Sequence, residues 1–138
     1  MLPTHSHRVR FHEADAQGIL FNSRYLELAD VAMTEFVRGL GWSYPEFVAA
    51  GADVAVVRAE VDFRRSVRFD DLVDLHTTCT DVGRSSFRLR TVFRCDDQEV
   101  AVTELVYVNL DPEAGGSRPL PEAVAAALRG PGSGQPAP

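Results

Sequence analysis

The spacing of apolar residues changes in the middle of this chain from a long helical repeat to a long strand-like region, and this change restricts the fold more than any other feature. Between residues 23 and 40 they recur at intervals of three and four, which is typical of one face of a helix. Asn22 or Ser23 can cap the start of that helix. Residues 54–110 have the pattern of strands, and up to residue 95 their apolar and polar residues alternate, as in strands with one buried face. The helical stripe consists of Leu26, Ala29, Met33, Phe36, Val37 and Leu40.

The strand-like region divides into four strands, which we expect to follow one another as a meander. The last of them, residues 100–110, is apolar on both faces and is therefore predicted to lie centrally in the sheet. Residues 7–12 predict a short strand before the long helix, and residues 121–128 predict a short alanine-rich helix after the strands. One long helix on a five-stranded antiparallel sheet is an α+β architecture.

Length and composition indicate one domain. The chain has 138 residues, enough for a single core, and we expect a domain over residues 1–128 and a flexible Gly/Pro-rich tail over residues 129–138. No apolar run approaches the roughly 20 residues that span a bilayer, and the N-terminus lacks a secretion-signal pattern. The expected location is cytoplasmic, with Cys79 and Cys95 as buried, reduced thiols.

Charge and apolar surface restrict the partners. The net charge of −6 argues against a nucleic-acid partner, because phosphate binding needs a basic surface. The predicted helix and sheet carry more apolar face than one copy can cover, which favours a homo-oligomer, either a dimer or a homotetramer.

The segment of residues 13–25 carries the groups most suited to chemistry. It places Asp15 and Gly18 in a loop that ends at the start of the long helix. Unpaired amides at a helix N-terminus can polarise a carbonyl oxygen, and Asp15 could then act as a nucleophile or as a general base. The alternative is that Asp15 only organises a turn by accepting backbone hydrogen bonds.

This segment resembles the active-site motif of the 4-hydroxybenzoyl-CoA thioesterase family, which includes the tol-pal-associated acyl-CoA thioesterases. The family motif reads Asp-x-x-Gly, two aliphatic residues, an aromatic residue and, four positions later, Tyr. The resemblance implies the hotdog fold, an antiparallel five-stranded sheet wrapped around one long central helix. It also implies hydrolysis of an acyl-CoA or aryl-CoA thioester to the free acid and coenzyme A. The matching positions are Asp15, Gly18, Ile19, Leu20, Phe21 and Tyr25.

The resemblance also implies roles for individual residues. Asp15 takes the position of the catalytic carboxylate, and Asn22 that of the residue whose backbone amide faces the thioester carbonyl. Many relatives have His or Tyr in place of Asn22, so the rate or the choice of substrate can differ here. Four other motif positions are implied to bind substrate, namely Gly18, Ile19, Phe21 and Tyr25.

Two further segments resemble coenzyme-binding parts of the family. Residues 83–87 resemble a basic, serine-containing turn that holds coenzyme A phosphates, with Arg84, Ser85 and Ser86 as the implied contacts. The alternative for them is a solvated hairpin. Residues 62–68 resemble a strand exit that lines the pantetheine channel, with an ordinary exposed arginine cluster as the alternative.

No metal and no separate cofactor are expected, with coenzyme A bound only as part of the substrate. His5, His7 and His12 match no common metal-site spacing. Two alternatives stay open: hydrolysis of an acyl-carrier-protein thioester in fatty-acid or polyketide metabolism, and a non-catalytic acyl-CoA-binding module. The acyl group and its chain length cannot be read from the sequence.

Overall fold

A computed structural model of the chain describes residues 2–130. They form one five-stranded antiparallel sheet with the strand order β1-β3-β4-β5-β2. The expected α+β hotdog architecture is confirmed: the sheet curves around α1, the one long helix. In chain order, the elements are β1 (His5–Arg8), α1 (Arg24–Gly39), α2 (Tyr44–Ala49), β2 (Val54–Phe63), β3 (Leu72–Val82), β4 (Ser86–Cys95), β5 (Gln98–Asn109) and α3 (Glu122–Arg129).

The core lies between α1 and the inner face of the sheet. The alternation predicted for β3 and β4 is confirmed, since Leu75, Leu89 and Phe93 are buried while their neighbours along each strand are more exposed. Side chains at alternate positions of a strand share one face, so these residues all face α1. Burial of this apolar surface is the main force that holds the helix on the sheet.

The long helix is confirmed, but its buried stripe is rotated from the predicted one. Tyr25, Leu28 and Ala32 are buried, whereas Leu26, which we assigned to the stripe, is 39% exposed. A curved sheet covers a helix on both sides of its apolar stripe, so residues that neighbour the predicted stripe also become buried. Ser23 is the N-cap residue, but its side chain makes no capping hydrogen bond.

The prediction of a strand over residues 7–12 is wrong in its bounds. The strand ends at Arg8, and a 3₁₀ turn at Phe11–Glu13 follows. The Glu13 carboxylate accepts a hydrogen bond of 2.7 Å from the Arg10 amide, which folds the chain back. Phe11 is therefore 80% exposed instead of alternating into the core.

The predicted four-strand meander is also wrong, because β2 pairs with β5 and not with β3. Only β3, β4 and β5 follow one another as neighbours. Strand β5 lies inside the sheet, between β4 and β2, while β4 is the central strand. Strand β2 is therefore an edge strand, and it is more exposed than the half-buried strand that we predicted, with Val57 60% and Phe63 54% exposed.

Two short helices complete the domain. The predicted C-terminal helix is confirmed as α3, whose Val124 and Leu128 join the core. Helix α2 was not predicted, although Ser43 and Glu46 form a reciprocal capping box that the sequence displays as Ser-x-x-Glu. Of the predicted tail, only residues 129 and 130 fall within the described part of the chain.

The described residues also bear on the predictions about membrane spans and cysteines. Among the described residues, no helix is long and apolar enough to cross a lipid bilayer. Cys79 and Cys95 are free thiols, as expected, but they are half-buried and not fully buried. Burial raises the pKa of both thiols, which keeps them protonated near neutral pH.

Candidate active site

Residues 14–20, here called the Asp15 loop, form a small hairpin. Ala14 and Leu20 pair across it, and the Asp15 amide donates a hydrogen bond of 2.9 Å to the Ile19 carbonyl. The Leu20 amide donates to the Val67 carbonyl at 2.7 Å, which attaches the loop to the segment between β2 and β3. Backbone hydrogen bonds therefore hold this loop, although it contains no regular secondary structure.

Gly18 supplies the backbone conformation that the Asp15 loop requires. Its φ is +78°, a region in which residues with a Cβ atom are strained. Its amide donates a hydrogen bond of 2.9 Å to the Asp15 carbonyl and closes the turn. The predicted substrate-binding residue Gly18 thus shapes the loop that carries Asp15.

The two carboxylate oxygens of Asp15 have different surroundings. Oδ1 accepts hydrogen bonds from the Gln17 amide at 2.8 Å and from the Ile19 amide at 3.4 Å. No hydrogen bond from the described residues reaches Oδ2. Oδ1 of Asp15 therefore organises the turn, as in the alternative that we considered. Oδ2 remains available to another partner.

A largely buried acid–histidine pair, His7 and Glu13, lies directly before the Asp15 loop. Glu13 is 9% exposed, and its Oε1 lies 2.8 Å from His7 Nε2. Burial raises the pKa of Glu13, but the hydrogen bonds from Arg10 and His7, together with the electrostatic effect of His7 and His12, leave this pKa below its ordinary value. The Glu13 carbonyl also accepts from the Phe21 amide at 2.9 Å. The sequence offered no signal for this pair, because it forms only when β1 and the turn meet.

The start of α1 presents backbone amides without acceptors. Within residues 2–130, neither the Asn22 amide nor the Ser23 amide has a hydrogen-bond acceptor. Such amides carry the positive end of the helix dipole and can stabilise negative charge on a nearby oxygen. This is the arrangement expected for a carbonyl-polarising site at Asn22.

Asp15 and Asn22 line the same cleft, whose volume is about 380 Å³. Ile19 and Tyr25 also line it, whereas Gly18 and Phe21 do not. Phe21 is 46% exposed beside the cleft. Sequence reasoning missed Phe63 as a lining residue, because its position became clear only when β2 was paired.

Tyr25 forms the buried wall of this cleft. Its ring packs edge-on against Phe63 with 5.1 Å between centroids, and against Phe93 at 5.4 Å. Burial, with a smaller contribution from Cys95, raises the pKa of Tyr25. Its hydroxyl therefore stays protonated at neutral pH and can donate a hydrogen bond.

The other predicted coenzyme segments lie at opposite ends of the sheet. Arg64, Arg65 and Ser66 line the cleft, where Arg64 is ion-paired with carboxylates. The turn with Arg84, Ser85 and Ser86 lies at the far end of β3, a strand of 11 residues. At a rise of about 3.3 Å per residue, that strand separates the two ends by roughly 30 Å. One copy of the chain does not bring Asp15 and Arg84 together.

Comparisons with known proteins identify the family of this chain. The sequence profile of the Thioesterase superfamily matches residues 17–102. A 1,4-dihydroxy-2-naphthoyl-CoA hydrolase of Synechococcus elongatus is 26% identical over 116 residues, covering 83% of this chain and 85% of that protein. The acyl-CoA thioester hydrolase YbgC of Escherichia coli is 24% identical over 123 residues, covering 88% and 92%.

A solved structure extends the similarity to three dimensions. The gentisyl-coenzyme A thioesterase BH1999 superposes with a TM-score of 0.81 at 27% identity, covering 90% of this chain and 98% of that one. Fold, sequence profile and relatives therefore agree with the resemblance noted in the loop motif. The chain belongs to the thioesterase superfamily and is a thioester hydrolase of the hotdog fold.

Proposed function

We propose that this enzyme hydrolyses an acyl-CoA or aryl-CoA thioester to the free acid and coenzyme A, with Asp15 as its catalytic carboxylate. The observation that carries the proposal is that Asp15 and Asn22, whose amide at the start of α1 has no acceptor among the described residues, line one cleft. The relatives support this substrate class, since their names include an aryl-CoA hydrolase and an acyl-CoA hydrolase.

The reaction uses the two sides of the cleft for different tasks. The Asn22 amide donates to the thioester carbonyl oxygen and stabilises the negative charge that develops there during attack. The second oxygen of Asp15 either attacks the carbonyl carbon or removes a proton from the attacking water. In both cases the C–S bond breaks, the acyl group gains OH from water, and coenzyme A leaves as the thiol.

A panel of thioesters tests this function directly. Purified protein is incubated with acyl-CoAs of increasing chain length, with aryl-CoAs and with an acyl-carrier-protein thioester, and free thiol is measured. Turnover of a CoA thioester supports the proposal. Turnover of the carrier-protein thioester alone favours the carrier protein as the donor, and binding without turnover favours a non-catalytic acyl-CoA-binding module.

We also propose that the enzyme works as a homo-oligomer built on a dimer across the free edge of β2. This edge strand of 10 residues exposes Val56, Val57 and Phe63 beside charged residues, and a long unpaired edge with exposed apolar side chains is a ready site for pairing with another strand. If β2 pairs with the β2 strand of a second copy about a two-fold axis, the two strands run antiparallel. The other sheet edge is β1, which has only 4 residues.

Sedimentation at micromolar concentration tests the oligomer. We expect a dimer or tetramer for the wild-type protein and a shift towards monomer for Val57→Arg, because the charge would disrupt pairing at the β2 edge. Val48→Arg is the matched control, since Val48 is also exposed but lies on α2. A wild-type protein that sediments as a stable monomer contradicts the proposal.

Antiparallel pairing would bring the separated coenzyme segments to the same end of the joint sheet. The Asp15 cleft contains Phe63, at the last residue of β2. The Arg84 turn lies at the other end, where the Asn109 amide donates to the Ser85 carbonyl and Asn109 pairs with Val54. Because the partner runs in the opposite direction, its Arg84 turn would lie at the same end as the first copy's cleft. This supports a role for Arg84, Ser85 and Ser86 in binding the nucleotide part of coenzyme A.

We expect Arg84→Ala to raise the KM for acyl-CoA more than it changes kcat. Arg84 is exposed, and losing one charge-assisted contact to phosphate should lower the apparent affinity about tenfold. A truncated thioester without the nucleotide should be unaffected, which steady-state kinetics on both substrates will measure. An equal loss on the two substrates would mean that Arg84 supports only the fold of its hairpin.

A further inference from the structure

Glu13 and Phe21, here called the loop base, join the two ends of the Asp15 loop. The Glu13 carbonyl accepts a hydrogen bond of 2.9 Å from the Phe21 amide. Asp15 lies two residues after Glu13, and Asn22 directly follows Phe21. The distance between the Asp15 carboxylate and the Asn22 amide therefore depends on how firmly the loop base is held.

The side chain of Glu13 attaches the loop base to the edge of the sheet. Its Oε1 accepts a hydrogen bond of 2.7 Å from the Arg10 amide and lies 2.8 Å from His7 Nε2. Although burial raises the pKa of Glu13, its hydrogen bonds and the nearby histidines leave this pKa below its ordinary value. At neutral pH the side chain is thus a carboxylate, which can only accept, so His7 Nε2 is the donor. His7 lies on β1, where it pairs with Val73 of β3.

Few other contacts hold the turn that precedes the loop base. Arg10, Phe11 and His12 are exposed, so this turn buries little apolar surface. Its backbone hydrogen bonds, from Glu13 to Arg10 and from Ala14 to Phe11, close the turn locally and do not attach it to the sheet. Apart from the Glu13 contacts, the described residues give it one side-chain hydrogen bond, from Arg24 to the His12 carbonyl at 3.4 Å. The two charge-assisted hydrogen bonds of Glu13 therefore do most to fix its position.

Glu13 and His7 stand outside the cleft that contains Asp15. Neither residue lines it, so neither is placed to touch a thioester bound there. Any effect of this pair on the reaction must pass through the Asp15 loop. Such an effect can be large, because a displacement of about 1 Å between reacting groups can lower a rate about 100-fold.

We propose that Glu13 and His7 are positioning residues, which hold the loop base so that the Asp15 carboxylate keeps its working distance from the Asn22 amide. The inference rests on the proposed function of Asp15. His7 donates and Glu13 accepts, so loss of either partner loosens the loop base from the sheet. Tyr25 and Phe63 also line the cleft, but they belong to α1 and β2 and should stay in place.

Steady-state kinetics of Glu13→Ala and His7→Ala test the inference, with the acyl-CoAs and aryl-CoAs of the panel above that wild-type protein hydrolyses. We expect kcat to fall about 10- to 100-fold and KM to change less than about threefold, because misplacement of Asp15 affects the transition state more than binding. His7→Gln should retain most of the wild-type kcat, because its side-chain amide can still donate to Glu13.

Glu46→Ala is the matched control for Glu13→Ala. Glu46 also accepts from the amide three residues before it, since its Oε1 lies 2.9 Å from the Ser43 amide. It does not line the cleft. We expect wild-type kcat and KM for this variant.

A double-mutant comparison separates positioning from support of the fold. If Glu13 acts through Asp15, Glu13→Ala should lower single-turnover rates much less in Asp15→Asn protein than in wild-type protein. Equal reductions in the two backgrounds would mean that Glu13 serves only the fold, which overturns the inference. If Glu13→Ala does not fold, His7→Ala decides by the same comparison, because it keeps the hydrogen bond from Arg10. Failure of both variants to fold would assign the pair to stability and also overturn the inference.

The kinetic outcomes distinguish this inference from the proposed function. Wild-type kcat in both Glu13→Ala and His7→Ala, together with an inactive Asp15→Asn, would remove the positioning role and leave the function intact. If wild-type protein hydrolyses no CoA thioester at all, the proposed function fails, and the inference fails with it.

Discussion

Replacing Asp15 with Asn is expected to lower thioester turnover by about two orders of magnitude or more, the usual effect of losing an acid–base or nucleophilic group. The amide oxygen of the substituted side chain can still accept from the Gln17 amide, which Asp15 Oδ1 now does at 2.8 Å. The turn should therefore persist. What is lost is the second carboxylate oxygen, which is free of hydrogen bonds from the described residues and is the atom available for attack or proton transfer.

Asp111→Asn is the matched control for this variant. Asp111 also organises a turn, since its Oδ1 accepts from the Glu113 amide at 2.9 Å and from the Ala114 amide at 3.1 Å. It does not line the cleft. We expect wild-type turnover for Asp111→Asn and unchanged melting curves for Asp15→Asn. Near-wild-type turnover of Asp15→Asn would remove Asp15 from the chemistry and leave it the turn-organising role alone.

Replacing Asn109 with Ala is expected to lower the free energy of unfolding by about 3–5 kcal/mol, because it leaves buried polar groups without partners. Asn109 is fully buried. Its Oδ1 accepts from the Asp53 amide at 2.8 Å, and its Nδ2 donates to the Gly51 carbonyl at 2.9 Å and the Pro119 carbonyl at 3.0 Å. One side chain thus joins the end of β5 to the segment after α2 and to the segment before α3.

Urea unfolding at a fixed protein concentration measures this effect. Gln98→Ala is the control, since Gln98 is an exposed amide at the first residue of the same strand. Its loss should change the unfolding free energy by less than about 0.5 kcal/mol. Asn109→Asp keeps the acceptor for Asp53 but cannot donate to both carbonyls, so it should also be strongly destabilising. A small effect of both Asn109 variants would show that water replaces the lost hydrogen bonds.

Local patterns were enough for the features that depend on neighbouring residues. The helical stripe predicted α1 to within a residue at either end, and alternation predicted β3 and β4, because each pattern reflects one element facing one core. Strand β5 was predicted from a run that is apolar on both faces. The motif from Asp15 to Tyr25 was sufficient to identify the family. It is a local feature, because the loop closes through hydrogen bonds within residues 13–21.

Contacts between distant parts of the chain decided the rest. Strand β2 alternates as a strand should, but only the assembled sheet determined that its neighbour is β5, some 40 residues later. That pairing leaves one edge of β2 free, while the 11 residues of β3 place the Arg84 turn at the end of the sheet opposite the Asp15 loop. The three side-chain hydrogen bonds of Asn109 likewise have no signature in sequence, since their partners come from separate segments. Periodicity shows which face of an element is apolar. It does not show which other element covers that face, because this depends on the free energy of packing the whole chain, and that packing also determines the shape of the site.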